Sequence, residues 1–414
     1  MSFQNPIKSE FTKNVLTLVT GTTIAQAIPV AISPILTRLY SPDDFGVYAL
    51  FLSITAIFGS ISAGRYEQAI VLPKKDEDAI NIFSLGLGIT ILLSVLVFLL
   101  VLFFNHFFTE LLQNEAISLW LYFTPLVIFL FGLFNLLTYF NIRKGEFKDL
   151  AKASVIKSVV LSISQLTLGF LKYGTGGLIS GQILSQLSSN LKLFLNIIKD
   201  KVLLASISIQ NIKAQAIRYK NFPLFSTWAV LANKLSFNLN NILISTLFNL
   251  STLGIYSLVQ KVLGMPSILV GTSISHVFLK HATEEKNTYG NCRKSFNKTL
   301  KKMFIIGFPI FFIIFFVIED LFVIIFGEEW GIGGIYAKIL VPLFFVRFLS
   351  STLSPVLSIY EKQKSEIYIN IILLTVSLGL ILYFNDFMVF LYVYTTASSL
   401  CYLSFLLYYY KLSK

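Results

Sequence analysis

Apolar residues in this chain come in long runs, and polar residues fall mostly in the short intervals between them. The runs cover about 12–38, 45–64, 79–104, 117–141, 151–172, 176–199, 222–248, 252–279, 303–326, 335–360, 366–384 and 387–410. Each is close to the ~20 residues that cross a hydrocarbon core as a helix, or somewhat longer, which implies tilt or kinks. They are too continuous for the alternating strands of an outer-membrane barrel. The pattern predicts an all-α integral membrane protein with twelve transmembrane helices. Pro29, Pro34, Pro266, Pro309, Pro342 and Pro355 lie within runs. There a missing N–H and a ring clash create kink sites or are absorbed by packing.

The pattern also restarts. Leu39, Gly46, Tyr48 and Leu50 of LYSPDDFGVYAL recur as Leu247, Gly254, Tyr256 and Leu258 of LFNLSTLGIYSL, at one constant offset. A repeat that begins again at the seventh run predicts two lobes of six helices, residues 1–199 and 222–414. Six is even, so the lobes share one orientation, as in parallel-repeat transporters. Residues 200–221 join them. Val202, Leu203, Ile209, Ile212 and Ile217, interleaved with basic residues, read either as a helix lying on the inner leaflet or as a plain polar linker.

Composition agrees with a membrane protein: 55% of the 414 residues are hydrophobic and 13% charged, with a mean hydropathy of +0.75. The net charge of +12 would suit a nucleic-acid binder, but its placement argues otherwise. With the N-terminus inside, the inner segments hold Lys8, Lys13, Arg65, Lys74, Lys75, Arg143, Lys144, Lys148, Lys152 and Lys157. Further along they hold Lys199, Lys201, Lys213, Arg218, Lys220, the 280–302 cluster, Lys362, Lys364, Lys411 and Lys414. The outer loops carry Arg38, Lys172 and Lys338 against Asp43, Asp44, Glu110, Glu115, Glu319, Asp320, Glu328, Glu329 and Asp386. This positive-inside bias puts both termini in the cytoplasm and leaves no nucleic-acid partner to invoke. The first run follows Lys8 and Lys13 and is too long for a cleaved signal peptide, so it reads as a retained span. Cys292 and Cys401 are isolated and His106, His276 and His281 form no ligand pattern, so no disulfide framework, metal site or cofactor is expected.

Four cations stand seven or more residues inside their runs: Lys192, Lys234, Lys261 and Arg347. Lys192 stands about two turns from an end and can snorkel. Lys234, Lys261 and Arg347 lie roughly 14–18 Å from their span ends. An ammonium or guanidinium at that depth faces either a wet cavity or backbone carbonyls. No carboxylate lies that deep in a run, so internal ion pairing cannot account for all three, and a ligand that brings negative charge is the natural partner. All three belong to the second lobe, with Gln26 at the position equivalent to Lys234. After the second run, Arg65 and Glu67 stand two residues apart and would point to different faces of a helix. They form a cytoplasmic gate or substrate contact, or else an interfacial charge pair. Asp76, Glu77 and Asp78 beside Lys74 and Lys75 look like a solvated turn. Lys294, Lys298, Lys301 and Lys302 share a helical face suited to anionic lipid. There is no GxxxxGK[ST], GxSxG or HExxH motif, and the outer loops are short, so no enzymatic constellation is expected.

The runs PILTRLYSPDDFGVYALF, GRYEQAIVLPKKDEDA, RYKNFPLFSTW and VLGMPSILVGTSISHVF resemble the polysaccharide-transport, O-antigen-type oligosaccharide flippase family of the MOP (MATE-like) superfamily. The resemblance covers residues 10–280. It implies two six-helix lobes alternating between inward-open and outward-open states. It also implies a polyprenyl-diphosphate-linked oligosaccharide carried across a bacterial cytoplasmic membrane for O-antigen, capsule or similar assembly. Membrane lipids, and a polysaccharide polymerase with its chain-length regulator, are the partners implied. The family's cavity cations correspond by character to Lys234, Lys261 and Arg347. The MATE branch often couples through a first-helix carboxylate, and this chain has none between Glu10 and Asp43. A MATE-type small-molecule exporter is the alternative; for cationic drugs it should line its cavity with acids, not bases.

Overall fold

The computed structural model describes residues 6–198 and 200–414, and the side chains of these apart from residues 6–16, 236, 237, 273, 363 and 366. The charges of Lys8, Lys13 and Lys199 therefore lie outside the described residues. Among the described residues there is no β-strand, and the helices group into the twelve expected runs. The first is Pro6–Ala31 continued by Ser33–Leu39, then Pro42–Gly59, Asp76–Leu111, Ser118–Leu121 with Thr124–Arg143, Phe147–Phe170 and Thr175–Ile198. The seventh is Phe222–Ser226 with Thr227–Leu247, and the eighth is Leu250–Pro266, Ser267–Gly271 and Thr272–Tyr289. Arg293–Phe326, Ile332–Leu353 with Val356–Ile359, Gln363–Tyr383 and Phe387–Leu412 complete the set. Among the described residues, eight helices are long and apolar enough to cross a membrane on that basis alone, and Ile367–Tyr383 is a shorter apolar segment. The chain is a multi-pass, all-α integral membrane protein.

Several prolines mark the breaks. Pro34 opens the second half of the first run, and Pro355 separates Leu353 from Val356. Pro223 and Pro266 begin or immediately precede π-helical turns, Phe222–Ser226 and Ser267–Gly271. A proline ring pushes away the carbonyl four residues back and donates no hydrogen bond, so one widened turn accommodates it. Pro309 and Pro342 are absorbed within continuous helices.

The chain divides into two compact units. The first takes the residues up to Tyr40 and Val47–Asn238; the second takes Ser41–Gly46 and Leu239–Lys414. In the first, Tyr66, Ile70, Ile80, Phe83, Leu137, Phe140 and Leu193 form a buried cluster that also includes Leu203 of the linker. Residues 200–221 are not an unstructured tether: they form the helices Lys201–Ala205 and Ile209–Arg218 and dock on this unit. In the second unit, Phe278, Cys292, Phe296, Leu353, Leu357, Phe405 and Tyr409 form a separate core. The 280–302 segment belongs largely to two long helices, which turn at Gly290.

Within the second unit the repeated glycines meet. A Cβ on Gly46 would run into the carbonyl of Leu250, and one on Gly254 into the carbonyl of Pro42. Pro42 and Leu250 stand at the same offset as the glycines, so the contact is reciprocal. Two helix starts cross here backbone to backbone, an approach that small residues alone permit. Phe45 closes one side edge-on against Trp330, with ring centroids 4.9 Å apart.

Candidate functional site

The second unit holds a partly open cavity of about 470 Å³. One wall is a single stripe of the eighth run: Gln260, Gly264, Ser267, Ile268, Gly271, Thr272, Ser275 and His276. These positions recur every three or four residues straight through the widened turn after Pro266, so one helical face supplies them all. The other wall comes from the tenth run, where Phe344, Arg347, Ser351 and Thr352 follow the same spacing. Gly264 leaves open space where a side chain would stand. Among the described lining residues Arg347 and His276 are the titratable groups, and no carboxylate is present. The Arg347 guanidinium lies 5.7 Å from the Phe344 ring centroid. A guanidinium among hydroxyls and amides, in a volume typical of ligand sites, is equipped to hold anionic oxygens by charge-assisted bonds and neutral hydroxyls by ordinary ones.

Of the three cations singled out from the sequence, Arg347 lines this cavity. Lys261 is half-buried in the same unit, directly after Gln260 but not in the lining. Lys234 falls in the first unit, also half-buried, with its carbonyl accepting a hydrogen bond from Asn238 Nδ2 at 2.9 Å.

Arg65 and Glu67 are also in the first unit, and here the expectation of opposite faces fails. The α-helix ends at Gly59, Gly64 and Arg65 take left-handed backbone conformations, and a 3-10 turn, Tyr66–Val71, follows. The tighter, bent path folds Arg65 back, and its Nη1 pairs with Glu67 Oε1 at 2.8 Å. Glu67 is 1% exposed. Burial pushes its carboxyl above the usual carboxylate range, against the opposing pull of Arg65 and a backbone N–H.

A family model described as "Polysaccharide biosynthesis protein" matches residues 35–332, most of the chain. The chain belongs to this family. The match extends past residue 280 and takes in the whole eighth-run wall of the cavity. No curated protein matches the chain by sequence. Among solved structures, an inward-facing multidrug resistance MATE family transporter of the MOP superfamily is similar at TM-score 0.69 and 13% identity, over 96% of this chain and 95% of that one. The lipid II flippase MurJ, in an inward closed conformation, is similar at TM-score 0.69 and 14% identity, over 97% of this chain and 87% of that one. A MOP superfamily transporter from Pyrococcus furiosus, described by a reversed polarity of its binding pocket, is similar at TM-score 0.61 and 12% identity, over 97% and 96%. At these identities the likeness concerns the fold, which is that of membrane transporters and flippases.

This family member also holds charges that sequence reasoning misplaced. Lys157, counted with an inner segment, sits well inside the helix Phe147–Phe170, its Nζ 4.8 Å from the Phe134 ring centroid and 5.5 Å from that of Phe131. An intramembrane cation is therefore present in the first unit as well. Lys192 does not simply snorkel: it pairs with Asp149 at 3.1 Å, and Asn196 donates to the same carboxylate at 2.9 Å. Asp76, the first residue of a helix and still partly solvated, is paired as well. Arg143 Nε bonds it at 2.8 Å and Lys144 Nζ at 2.6 Å, while Arg143 Nη1 also reaches the carbonyls of Ile70 and Pro73. His276 and the hydroxyl stripe were missed too. The available signal was the recurrence of Ser, Thr and Gly every three or four residues in VLGMPSILVGTSISHVF.

Proposed function

We propose that this member of the polysaccharide biosynthesis family is a flippase that moves a polyprenyl-diphosphate-linked oligosaccharide from the inner to the outer leaflet of a bacterial cytoplasmic membrane by alternating access. It would supply O-antigen, capsule or a similar surface polymer, alongside a polymerase and chain-length regulator, without catalysing a reaction itself. The lobes are residues 1–199 and 222–414, joined by 200–221, with both termini cytoplasmic. Within the second unit Arg347 and Lys261 are the proposed diphosphate contacts, and Lys234 is a further proposed diphosphate-binding cation carried by the first unit. The glycan occupies the wet cavity, with the polyprenyl tail in lipid. Arg65 and Glu67 act at the cytoplasmic gate. The observation that carries the reading is the hydroxyl-lined cavity around Arg347 with no carboxylate among its described walls. The fold likeness to a multidrug transporter keeps a small-molecule exporter as the second reading, but a site for cationic drugs should carry the opposite charge.

The test is transport by the purified protein in vesicles, with a polyprenyl-diphosphate oligosaccharide in one arm and a cationic dye in the other. Losing one charge-assisted phosphate contact costs about 1.5–3 kcal/mol, so Arg347→Gln or Lys261→Gln should weaken glycolipid binding roughly ten- to a hundred-fold while insertion persists. Lys→Arg should retain part of the activity, since a point charge is what the contact requires. Wild-type glycolipid transport by Lys234→Gln/Lys261→Gln, or efflux of the dye instead, would refute the anion-site reading.

A further inference from the structure

The linker helix Ile209–Arg218 is amphipathic, yet it meets the protein with its polar side. Gln215 is buried and donates to Asp78 at 2.8 Å. The Tyr66 hydroxyl donates to the Ala216 carbonyl at 3.0 Å. Just before the helix, Asn81 brackets the chain: its Oδ1 accepts from Ser208 N at 2.9 Å, and its Nδ2 donates to the Ser206 carbonyl at 3.1 Å. Leu203 is buried and Ile212 half-buried, but three apolar side chains of the linker look the other way. Ile209 is 84% exposed, Ile217 61% and Val202 84%. Ile209, Lys213 and Ile217 follow one another at four-residue spacing and so share a face. Exposed Lys201, Lys213, Arg218 and Lys220 flank this face, opposed within residues 200–221 by Asp200 alone.

Two features select the partner. Asp78 and Asn81 belong to the first turns of Asp76–Leu111, a helix long and apolar enough to cross a membrane. The linker is thus tied at the level where such a helix leaves the hydrocarbon. At that depth, isoleucines that point away from the protein and are rimmed by ammonium and guanidinium groups match acyl chains below anionic headgroups. We infer that residues 201–220 form a membrane-surface docking element that seats Val202, Ile209 and Ile217 among acyl chains and gathers acidic phospholipid around Lys201, Lys213, Arg218 and Lys220. The leaflet is the inner one if the orientation proposed above holds; the docking itself does not depend on that orientation. Through Tyr66 the element also holds the segment that carries the Arg65–Glu67 pair.

The experiment uses the full chain with Cys292→Ser and Cys401→Ser. A single cysteine replaces Ile209 or Ile217 and carries a polarity-sensitive fluorophore. Asn211→Cys, at an exposed position two residues on from Ile209 and so on another side of the helix, carries the control label. The protein is placed in vesicles of phosphatidylcholine, or of phosphatidylcholine with phosphatidylglycerol, brominated on the acyl chains. Labels at 209 and 217 should emit to the blue of the label at 211 and lose most of their emission to the brominated chains, while aqueous iodide has little effect. Lys201→Gln, Lys213→Gln, Arg218→Gln and Lys220→Gln together should reduce bromine quenching in the anionic vesicles more than in the zwitterionic ones. Strong iodide quenching without bromine quenching would place the face in water, and protection from both quenchers would place a protein over it; either result overturns the inference. An impermeant thiol reagent applied to oriented vesicles reports the leaflet separately. A wrong orientation or a wrong substrate would therefore show as an intact lipid signal on the other face, or as intact docking without glycolipid transport.

Discussion

Glu67 is the one carboxylate that counts as buried among the described residues, and its partner Arg65 is held by an unusual backbone rather than by helix periodicity. That conformation makes a pH prediction possible. An unfolded glutamate titrates near ~4.3, whereas burial holds folded Glu67 higher. Between the two values the folded state keeps a proton that the unfolded state has lost, so stability falls as pH rises through that interval. Glu67→Gln, permanently neutral, should remove the fall, giving a Tm in detergent that is flatter with pH than wild type. Arg65→Gln should deepen it, costing about 3 kcal/mol near neutrality because a buried charge loses its partner, with recovery in acid as Glu67 takes a proton. Parallel Tm curves for wild type and Glu67→Gln would show that the carboxyl does not titrate as its burial implies. The sequence offered a charge pair as one reading of these two residues but not the backbone that forms it, since the left-handed turn at Arg65 has no signature in periodicity. Arg347 was legible because an arginine stands out in an apolar run. Lys157 also lay within its run, 151–172, but was grouped with the basic residues Lys148 and Lys152 just before it, although the helix Phe147–Phe170 carries it well away from either end.

At the scale of elements, the twelve helices were readable because each had to be a continuous apolar stretch, and the prolines were readable as places where continuity would yield. What hydropathy could not convey was how helices meet. Gly46 and Gly254 were visible as a repeat, but their reciprocal contact depends on two backbones crossing at those residues. It also explains why Ser41–Gly46 groups with the second unit while the rest of its helix groups with the first. Gly46→Ala and Gly254→Ala should each destabilise the protein by about 1–3 kcal/mol, the usual cost of forcing a methyl into filled space. Both clashes are relieved by the same separation of the two helices. The double variant should therefore cost clearly less than the sum of the singles, a coupling that thermal unfolding of all four proteins would measure. Strict additivity would mean that the two glycines answer to separate contacts. The cavity wall teaches a related lesson: Ser267, Thr272, Ser275 and His276 share a helical spacing that the sequence displayed, but that this face meets the tenth run around Arg347 was visible only in the structure.

For the whole molecule, the question is what drives transport in one direction. The carboxylates that could bind a coupling cation are scarce: no carboxylate lines the described cavity, Asp149 is engaged by Lys192 and Asn196, and Glu67 is engaged by Arg65. A diphosphate-linked cargo brings its own charge. In a cell whose interior is negative, an anion moving outward runs downhill by ~2.3 kcal/mol per unit charge per 100 mV. If the three cations stay with the protein and return with the empty carrier, the field acts on the cargo in one half of the cycle and on the lysines and arginine in the other. Flux of the glycolipid in vesicles should then rise when a potassium diffusion potential makes the cytoplasmic side negative, and drop when the potential is reversed. Imposed sodium or proton gradients at zero potential should leave it nearly unchanged. Glu67→Gln separates the alternatives. Because Glu67 is also proposed at the gate, the readout is the response of the flux that remains. Under potential-driven transport that flux keeps its voltage response, whereas a wild-type flux that follows an imposed proton gradient, with that response lost in Glu67→Gln, would make the buried carboxylate the coupling site and remove the potential as the driving force.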